Sequence, residues 1–185
     1  SANASKELRE FVGHFNLPVV STLMGLGAVD TQHRSSLNML GMHGTPYANY
    51  AVQESDFLIA IGSRFDDRVA GVPEKFAPRA KVIAHFDIDP SEINKVKNAA
   101  WSHLGVLSLA LEDLIKHAKN NNLEFNFSDW VNHTNELKSK YPLNFNRSSE
   151  LVQPEHVIEC INKITKGEAI VTTGVGQHQM WAAQY

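Results

Sequence analysis

An α/β fold with a doubly wound parallel sheet is predicted by three features of this 185-residue chain. Short apolar runs, the pattern of buried strands, alternate with segments of helical periodicity. Such alternation is typical of a parallel sheet with helices on both faces. Polar and glycine-rich loops follow the apolar runs, where parallel sheets bind ligands. The predicted strands are Leu17–Thr22, Phe57–Ile61, Lys81–Phe86 and Ala169–Thr173.

Helices are predicted between and after these strands from capping signals and periodicity. Thr45 and Pro46 supply an N-cap and a first-turn proline, and Asp89 and Pro90 repeat that signal. The third segment, 107–119, has apolar residues along one side and should cover the sheet. The predicted helices span residues 46–55, 91–97, 107–119, 130–140, 154–163 and a last segment that begins at 177.

Composition excludes several classes of protein. The apolar share is 43%, the charged share 20% and the net charge -3. No apolar stretch approaches the roughly 20 residues of a membrane helix, and no basic face is present to bind nucleic acid. The single cysteine, Cys160, excludes an internal disulfide. Because it lies in a helical run with Val157 and Ile161, we predict a buried packing thiol and not a nucleophile.

The chain is predicted to contain parts of two domains. Residues 1–122 form one domain, 123–150 form a polar connector, and 151–185 begin a second domain. The first five residues resemble neither a native start nor a signal peptide, and the last helix has just begun when the chain stops. We therefore expect a piece truncated at both ends.

The loop after the second predicted strand carries the densest set of polar side chains. It reads Gly62-Ser63-Arg64-Phe65-Asp66-Asp67-Arg68. Guanidinium groups bind phosphate or carboxylate oxygens in a forked geometry, and the carboxylates can orient them or accept from ribose hydroxyls. A solvated cluster of surface ion pairs is the alternative. The position just after a buried strand favours ligand binding.

Three further loops are candidate ligand contacts. Asp87 ends a strand, as ribose-binding carboxylates do in nucleotide-binding sheets, although it could instead cap the following turn, as Asp89 is predicted to do. Gly25 and Gly27 follow the first strand and could admit a phosphate or a ring, or form a plain turn. His43 lies between glycines and could line a flat ring, but no partner stands at metal-ligand spacing, so we predict no metal site.

The last predicted strand leads through Gly174 and Gly176 into a helix that begins at Gln177. Free amide groups and the helix dipole in such a turn can bind a diphosphate. From the residues alone, the chain is interpreted as a domain for an adenine dinucleotide followed by the start of another phosphate-binding domain. The residues alone do not identify a reaction.

Four motifs together resemble the catalytic large subunit of the acetohydroxyacid (acetolactate) synthase family. They occupy residues 17–25, 40–44, 62–69 and 171–181, in the family's order. The resemblance implies that residues 1–122 are the Rossmann-like central domain of thiamine-diphosphate-dependent enzymes without its first strand, with FAD bound there without net redox turnover. It also implies thiamine diphosphate and magnesium in the whole enzyme. The implied reaction decarboxylates pyruvate and joins it to a second 2-oxo acid, giving acetolactate or acetohydroxybutyrate for branched-chain amino acid synthesis.

The resemblance also assigns residues to each cofactor. Those matched to FAD are Thr22, Leu23, Met24, Leu40, Gly41, Met42, His43, Gly62, Ser63, Arg64, Asp66, Arg68, Val69, Asp87 and Ile88. Residues matched to the diphosphate of thiamine diphosphate are Val175, Gly176, Gln177 and His178. Arg68, Asp67 and Met42 match positions that face the substrate or its access channel. No residue of this chain matches a catalytic or metal-binding position.

The resemblance implies further properties of the whole enzyme. The thiamine-activating glutamate and the magnesium motif would lie outside this chain, so we expect no catalysis by the chain alone. A homo-oligomer, a separate regulatory subunit, and a bacterial cytoplasmic or eukaryotic organellar location are expected. One departure concerns Leu104–Leu107, where the family usually has an aspartate, so one polar flavin contact is expected to be missing.

Two alternative functions remain open from the sequence. One is a related thiamine enzyme, either pyruvate oxidase, in which FAD accepts electrons, or a carboligase that acts on another oxo acid. The other is a stand-alone nucleotide-binding module without thiamine chemistry.

Overall fold

A computed structural model describes residues 2–185 of the chain. The chain forms two compact units, Ser1–Tyr141 and Pro142–Tyr185. The division falls within the predicted connector 123–150, although the helix at its centre packs into the first unit. None of the helices in residues 2–185 has the length and apolar character needed to cross a membrane.

The first unit contains five strands and most of the helices. The strands are β1 Val19–Ser21, β2 Ser36–Met39, β3 Phe57–Ile61, β4 Val82–Asp87 and β5 Trp101–Leu104. The helices are α1 Ser5–Phe15, α2 Pro46–Glu54, α3 Asp67–Ala70, α4 Leu107–Asn120 and α5 Ser128–Lys140, with 3₁₀ turns at Leu23–Gly25 and Pro73–Lys75. The second unit contains α6 Pro154–Thr165 and α7 Gln177–Gln184.

All strand pairs are parallel, but they form two hydrogen-bonded sheets. β1 pairs with β2, and β4 pairs with β3 on one side and β5 on the other. The register places Phe57 opposite Val82 and Ala84 opposite Trp101. Within residues 2–185 no strand pairs with both β1 and β3, so the strands do not form one continuous sheet. The carboxyl ends of β3 and β4 therefore meet at one edge.

Helices cover the strands on both faces, as the doubly wound prediction requires. Ile59 and Ile61 of β3 pack against Phe11 of α1 and Leu111 of α4. Leu58 and Ala60, whose side chains point the other way, belong to the cluster that includes α2 and α5. The α/β fold with parallel strands is thus confirmed.

Two predicted helices of the first unit form for the predicted reasons. The buried Thr45 hydroxyl accepts from the Ala48 amide at 3.2 Å and donates to the Leu37 carbonyl at 2.9 Å, which fixes the start of α2. In α4, Leu111 and Ile115 are buried on the side that faces α1. Both helices match their predicted segments to within one residue.

Helix α5 belongs to the first unit because its inner side is buried. Val131 is fully covered, and Leu137 joins the larger core cluster. His133 Nε2 lies 2.6 Å from Glu54 Oε2 at the end of α2. The Lys138 ammonium donates to the Ser36 carbonyl at 3.0 Å, and partial burial lowers the pKa of Lys138.

The predicted helix 91–97 is wrong, because this segment forms a succession of turns. Asn94 has φ +60, a left-handed conformation that a continuous helix does not accommodate. Its side chain accepts from the Ala99 amide at 2.7 Å, which closes a loop instead of a helical turn. Asp89 still acts as a cap, accepting from the Ser91 amide at 2.9 Å.

Two predictions in the second unit are also wrong. Residues 169–173 are not a strand, because a strand needs a hydrogen-bonded neighbour and the unit contains none; Ile170 is 94% exposed. Cys160 is half-buried, not buried, with its Sγ 3.5 Å from His156 Nε2. Part of the apolar side of α6 is exposed, with Ile164 at 79%. The predicted helices 154–163 and 177 onward are confirmed as α6 and α7.

Candidate functional site

The loops that follow β1, β2 and β3 are joined by backbone hydrogen bonds. Leu40, just after β2, donates to the Ser21 carbonyl at the end of β1 at 3.0 Å. Met42 donates to the Arg68 carbonyl at 2.8 Å, and Gly62 donates to Phe86 of β4 at 2.8 Å. The structure therefore gathers the predicted loops at the carboxyl ends of the strands.

Gly41 allows the loop after β2 to approach the arginine loop closely. Its φ is +98, and a Cβ there would lie 2.3 Å from the Arg68 carbonyl oxygen. Asn49 of α2 holds this glycine twice: its Oδ1 accepts from the Gly41 amide at 2.8 Å, and its Nδ2 donates to the Gly41 carbonyl at 2.9 Å. Sequence reasoning missed this role, since an asparagine inside a helix is usually a solvated surface residue.

The arginine loop is anchored by a buried ring and a helix cap. Phe65 has φ +54 and is 4% exposed, with its ring edge toward Phe76. Asp66 accepts from the amides of Arg68 at 3.1 Å and Val69 at 3.2 Å, which caps α3. Arg64, by contrast, is exposed and only weakly paired, with its Nη2 3.9 Å from Asp66 Oδ2. Its guanidinium is therefore available to an anion.

The three residues predicted to face substrate lie together at this edge. Arg68 Nη1 is 3.7 Å from the sulfur of Met42, whose side chain is 64% exposed. Asp67 is exposed and begins α3 next to Arg68. This group combines a cation with an apolar thioether, a pairing that suits a small carboxylate carrying an apolar tail.

Asp87 ends β4 with one carboxylate oxygen engaged. Its Oδ1 accepts from the Asp89 amide at 2.9 Å, while Oδ2 faces His85 at 3.9 Å. Ile88 follows with 71% exposure, so an apolar side chain stands beside the carboxylate. The hydrogen bond from the Ser91 backbone lowers the pKa of Asp89, whose carboxylate is thereby committed to its turn.

The turn after β1 contributes an apolar rim. Thr22 accepts from the Gly25 amide at 3.2 Å and caps the 3₁₀ turn. Within that turn Leu23 is half-buried, while Met24 is 92% exposed. His43 is exposed beside Met42, and the described residues contain no cluster of three or more potential metal ligands.

The glycine turn of the second unit is open. Gly176 is extended and precedes α7, which has no side-chain cap, and Val175 is 95% exposed. The ring of His178 covers the turn, since a Cβ on Gly176 would lie 2.9 Å from its Cε1. Gln177 begins the helix. These residues belong to a separate compact unit.

Comparison with known proteins identifies the first unit. The family model described as thiamine pyrophosphate enzyme, central domain, matches residues 1–114. The chain belongs to this thiamine pyrophosphate enzyme family. The matched segment contains every candidate loop of the first unit, from Thr22 to Ile88.

Relatives of this thiamine pyrophosphate enzyme chain are acetolactate synthases of plants. The chain is 51% identical over its whole length to acetolactate synthase 2, chloroplastic, of Nicotiana tabacum, and covers 28% of that protein. It is 50% identical over 99% of its length to acetolactate synthase, chloroplastic, of Arabidopsis thaliana, again 28% of the relative. It is 48% identical to acetolactate synthase 1, chloroplastic, of Zea mays, over its whole length and 29% of the relative. The chain thus spans less than a third of these proteins.

Proposed function

We propose that this chain is the central part of an acetolactate synthase catalytic subunit, in which the first unit binds FAD. The observation that carries the proposal is the convergence of the loops after β1 to β4 at the carboxyl ends of the strands, in a chain 51% identical to an acetolactate synthase. The relatives named are all acetolactate synthases, so neither a pyruvate oxidase nor a stand-alone nucleotide module is favoured.

The residues at this edge fit a flavin adenine dinucleotide. Gly62, with φ +60, leaves open space at the end of β3, since nothing lies within 4 Å of an added Cβ. The exposed Arg64 guanidinium suits the diphosphate, and the free Oδ2 of Asp87 suits a ribose hydroxyl. Met24 and Ile88 are exposed apolar side chains that suit flat rings.

Each residue then has a defined task in the proposed enzyme. Arg64 binds phosphate oxygens, Asp66 holds the loop by capping α3, and Asp87 orients the adenosine ribose. The loop 40–43 and the turn 22–24 line the flavin, with Ser63 and Val69 beside them. Arg68 binds the carboxylate of a 2-oxo acid, and Met42 and Asp67 border its entry.

The second unit is proposed to start the thiamine diphosphate site. Its support is the start of α7, which no side chain caps and which follows an exposed glycine turn. When bound with magnesium, thiamine diphosphate supplies the electron sink for decarboxylation of pyruvate. Gly176, Gln177 and His178 would contact its diphosphate through backbone amides and the imidazole. The remaining ligands would come from other parts of the enzyme.

The whole enzyme is proposed to be a homo-oligomer with a separate regulatory subunit. Its substrates would be 2-oxo acids, and its products acetolactate or acetohydroxybutyrate in branched-chain amino acid synthesis. An organellar location is proposed because the named relatives are described as chloroplastic, with the cytoplasm expected for a bacterial source.

Titration of the purified chain with FAD tests the first-unit assignment. A shifted flavin absorption band is expected on binding, and Arg64→Ala should weaken binding about tenfold by removing the diphosphate contact. Arg79→Ala is the matched control, since Arg79 follows the 3₁₀ turn Pro73–Lys75 and not a candidate loop. Equal binding by both variants would contradict the assignment of Arg64.

A second experiment tests the reaction. The complete subunit that contains this chain should form acetolactate from pyruvate with FAD, thiamine diphosphate and magnesium. The 185-residue chain alone should release no carbon dioxide under the same conditions. Hydrogen peroxide formation by the complete subunit would instead indicate an oxidase.

A further inference from the structure

His85 is a fully buried polar side chain that borders the candidate site. It lies in β4, two residues before Asp87, and its side chain has no solvent exposure. Neither Nδ1 nor Nε2 has a hydrogen-bond partner within residues 2–185. Buried polar groups are nearly always hydrogen-bonded, so an imidazole left in this state indicates a partner that is not yet in place.

Phe65 and Asp87 both lie close to the imidazole of His85. The ring meets the edge of Phe65 at a centroid distance of 5.3 Å and an interplanar angle of 74°, so Phe65 covers it with carbon. Residues two apart on a strand point to the same face, which places Asp87 beside it. Nε2 faces Asp87 Oδ2 at 3.9 Å, just beyond hydrogen-bond distance.

The two oxygens of Asp87 are not equivalent. Oδ1 is engaged by the Asp89 amide at 2.9 Å. Oδ2 is the oxygen left to accept a ribose hydroxyl, and a carboxylate oxygen has lone pairs for two donors. A movement of about 1 Å would bring Oδ2 within hydrogen-bond distance of Nε2. His85 and a ligand would then share the same oxygen.

We propose that His85 is a positioning residue for dinucleotide binding: its Nε2–H donates to Asp87 Oδ2 and fixes the carboxylate that receives the ribose. This inference rests on the proposed function and adds a residue to it. His85 does not touch the ligand. It acts through Asp87, and its ring contacts Phe65, the buried residue of the arginine loop. The buried face of β4 thus supports the candidate site at the end of that strand.

Two near-isosteric variants separate positioning from packing. In His85→Gln the side-chain amide reaches the place of Nε2, whereas in His85→Asn it reaches the place of Nδ1. We expect the glutamine variant to bind FAD within about threefold of the parent and the asparagine variant to bind about tenfold more weakly, the effect of one hydrogen bond to a charged group. His103→Asn is the control, because His103 of β5 packs on Phe86 and Trp101.

Equal FAD affinity in the two His85 variants, each with a cooperative unfolding transition, would show that His85 only packs and would overturn the inference. If the parent chain binds no FAD, it is the proposed function that fails. A ligand-free measurement then tests His85 separately. Long-range ¹H–¹⁵N spectra should show the Nε2-protonated tautomer, with an Nε2 resonance that shifts in Asp87→Asn while that of His103 does not. An unchanged His85 resonance would also overturn the inference.

Discussion

Each of the two units contains a glycine turn of similar sequence, but one turn is buried and the other is exposed. In the first unit, Gly41 is buried, held by the oxygen and the nitrogen of the Asn49 side-chain amide, and packed against the Arg68 carbonyl. In the second unit, Gly176 lies in an exposed turn that meets only the ring of His178. A glycine motif therefore marks a possible ligand loop, whereas tertiary contacts decide whether the loop has a fixed shape.

The largest expected effect comes from adding a methyl group to each glycine. Gly41→Ala would place Cβ 2.3 Å from a backbone oxygen at φ +98, and should lower the free energy of unfolding of the first unit by about 3 kcal/mol. Gly176→Ala meets only a side-chain ring that can rotate, and should change stability by less than about 1 kcal/mol.

Tryptophan fluorescence during urea unfolding measures both variants. Trp101 and Trp130 report on the first unit and Trp181 on the second. Gly13→Ala is the control for a glycine in open space, since nothing lies within 4 Å of its added Cβ. Similar losses for Gly41→Ala and Gly176→Ala would remove the contrast between the two turns.

The next effect comes from the side chain that holds Gly41. Asn49→Ala removes two hydrogen bonds of 2.8 and 2.9 Å and should destabilise the first unit by about 2 kcal/mol. It should also weaken FAD binding, because the loop 40–43 loses its fixed shape. Asn121→Ala, which removes an exposed bond to the His117 carbonyl, should cost less than about 0.5 kcal/mol. An Asn49 variant as stable as its control would show that the loop holds its own shape.

Helix caps give a smaller contrast. Thr45→Val keeps the side-chain volume but removes the cap of α2 and the donor to the buried Leu37 carbonyl, at an expected cost of about 1–2 kcal/mol. Thr165→Val removes an exposed bond to the Ile161 carbonyl in α6 and should cost less than about 0.5 kcal/mol. Thermal unfolding by circular dichroism compares the two. Equal shifts would show that burial does not distinguish these hydroxyls.

The smallest expected effects concern the dependence of stability on acidic pH. Hydrogen bonds from Ser91 and Arg147 lower the pKa values of Asp89 and Glu159, respectively. A lowered folded pKa contributes stability above the unfolded value, 3.8 for Asp89 and 4.5 for Glu159, that is lost as pH falls through the folded value. Asp89→Asn and Glu159→Gln should each flatten the loss of stability below about pH 4.5, by a small amount because Asp89 is exposed and Glu159 is only partly covered. Urea midpoints from about pH 6 to pH 3 measure the slopes, and slopes identical to the parent's would contradict the linkage.

Local signals predict much of the first unit. Strand β3 matches its prediction residue for residue, because a purely apolar run stands between Asp56 and Gly62. Strand β2 escapes prediction because Ser36–Met39 is short, lacks a continuous apolar run and contains Asn38 at φ +62. Helix α1 escapes prediction because its start lacks a side-chain cap. Both elements form through strand pairing or side-chain packing with other segments, which the sequence of a single segment does not encode.

The residues of the candidate site also divide into those that the sequence predicts and those that it does not. The arginine loop and Asp87 are predictable, because polar residues directly after buried strands have few structural explanations. Asn49 and His85 are not, since each acts through a contact with a residue in another part of the fold or along the strand. The strand predicted at 169–173 fails for a related reason: an apolar run requires a neighbour to become a strand.

The bond from the Met42 amide to the Arg68 carbonyl uses main-chain atoms alone. The side chains of both residues can therefore be exchanged while the scaffold between their loops stays intact. A combined library at positions 42 and 68 would vary the mouth of the site in size and polarity at little risk to folding. This makes the pair a starting point for altering which 2-oxo acids the proposed enzyme admits.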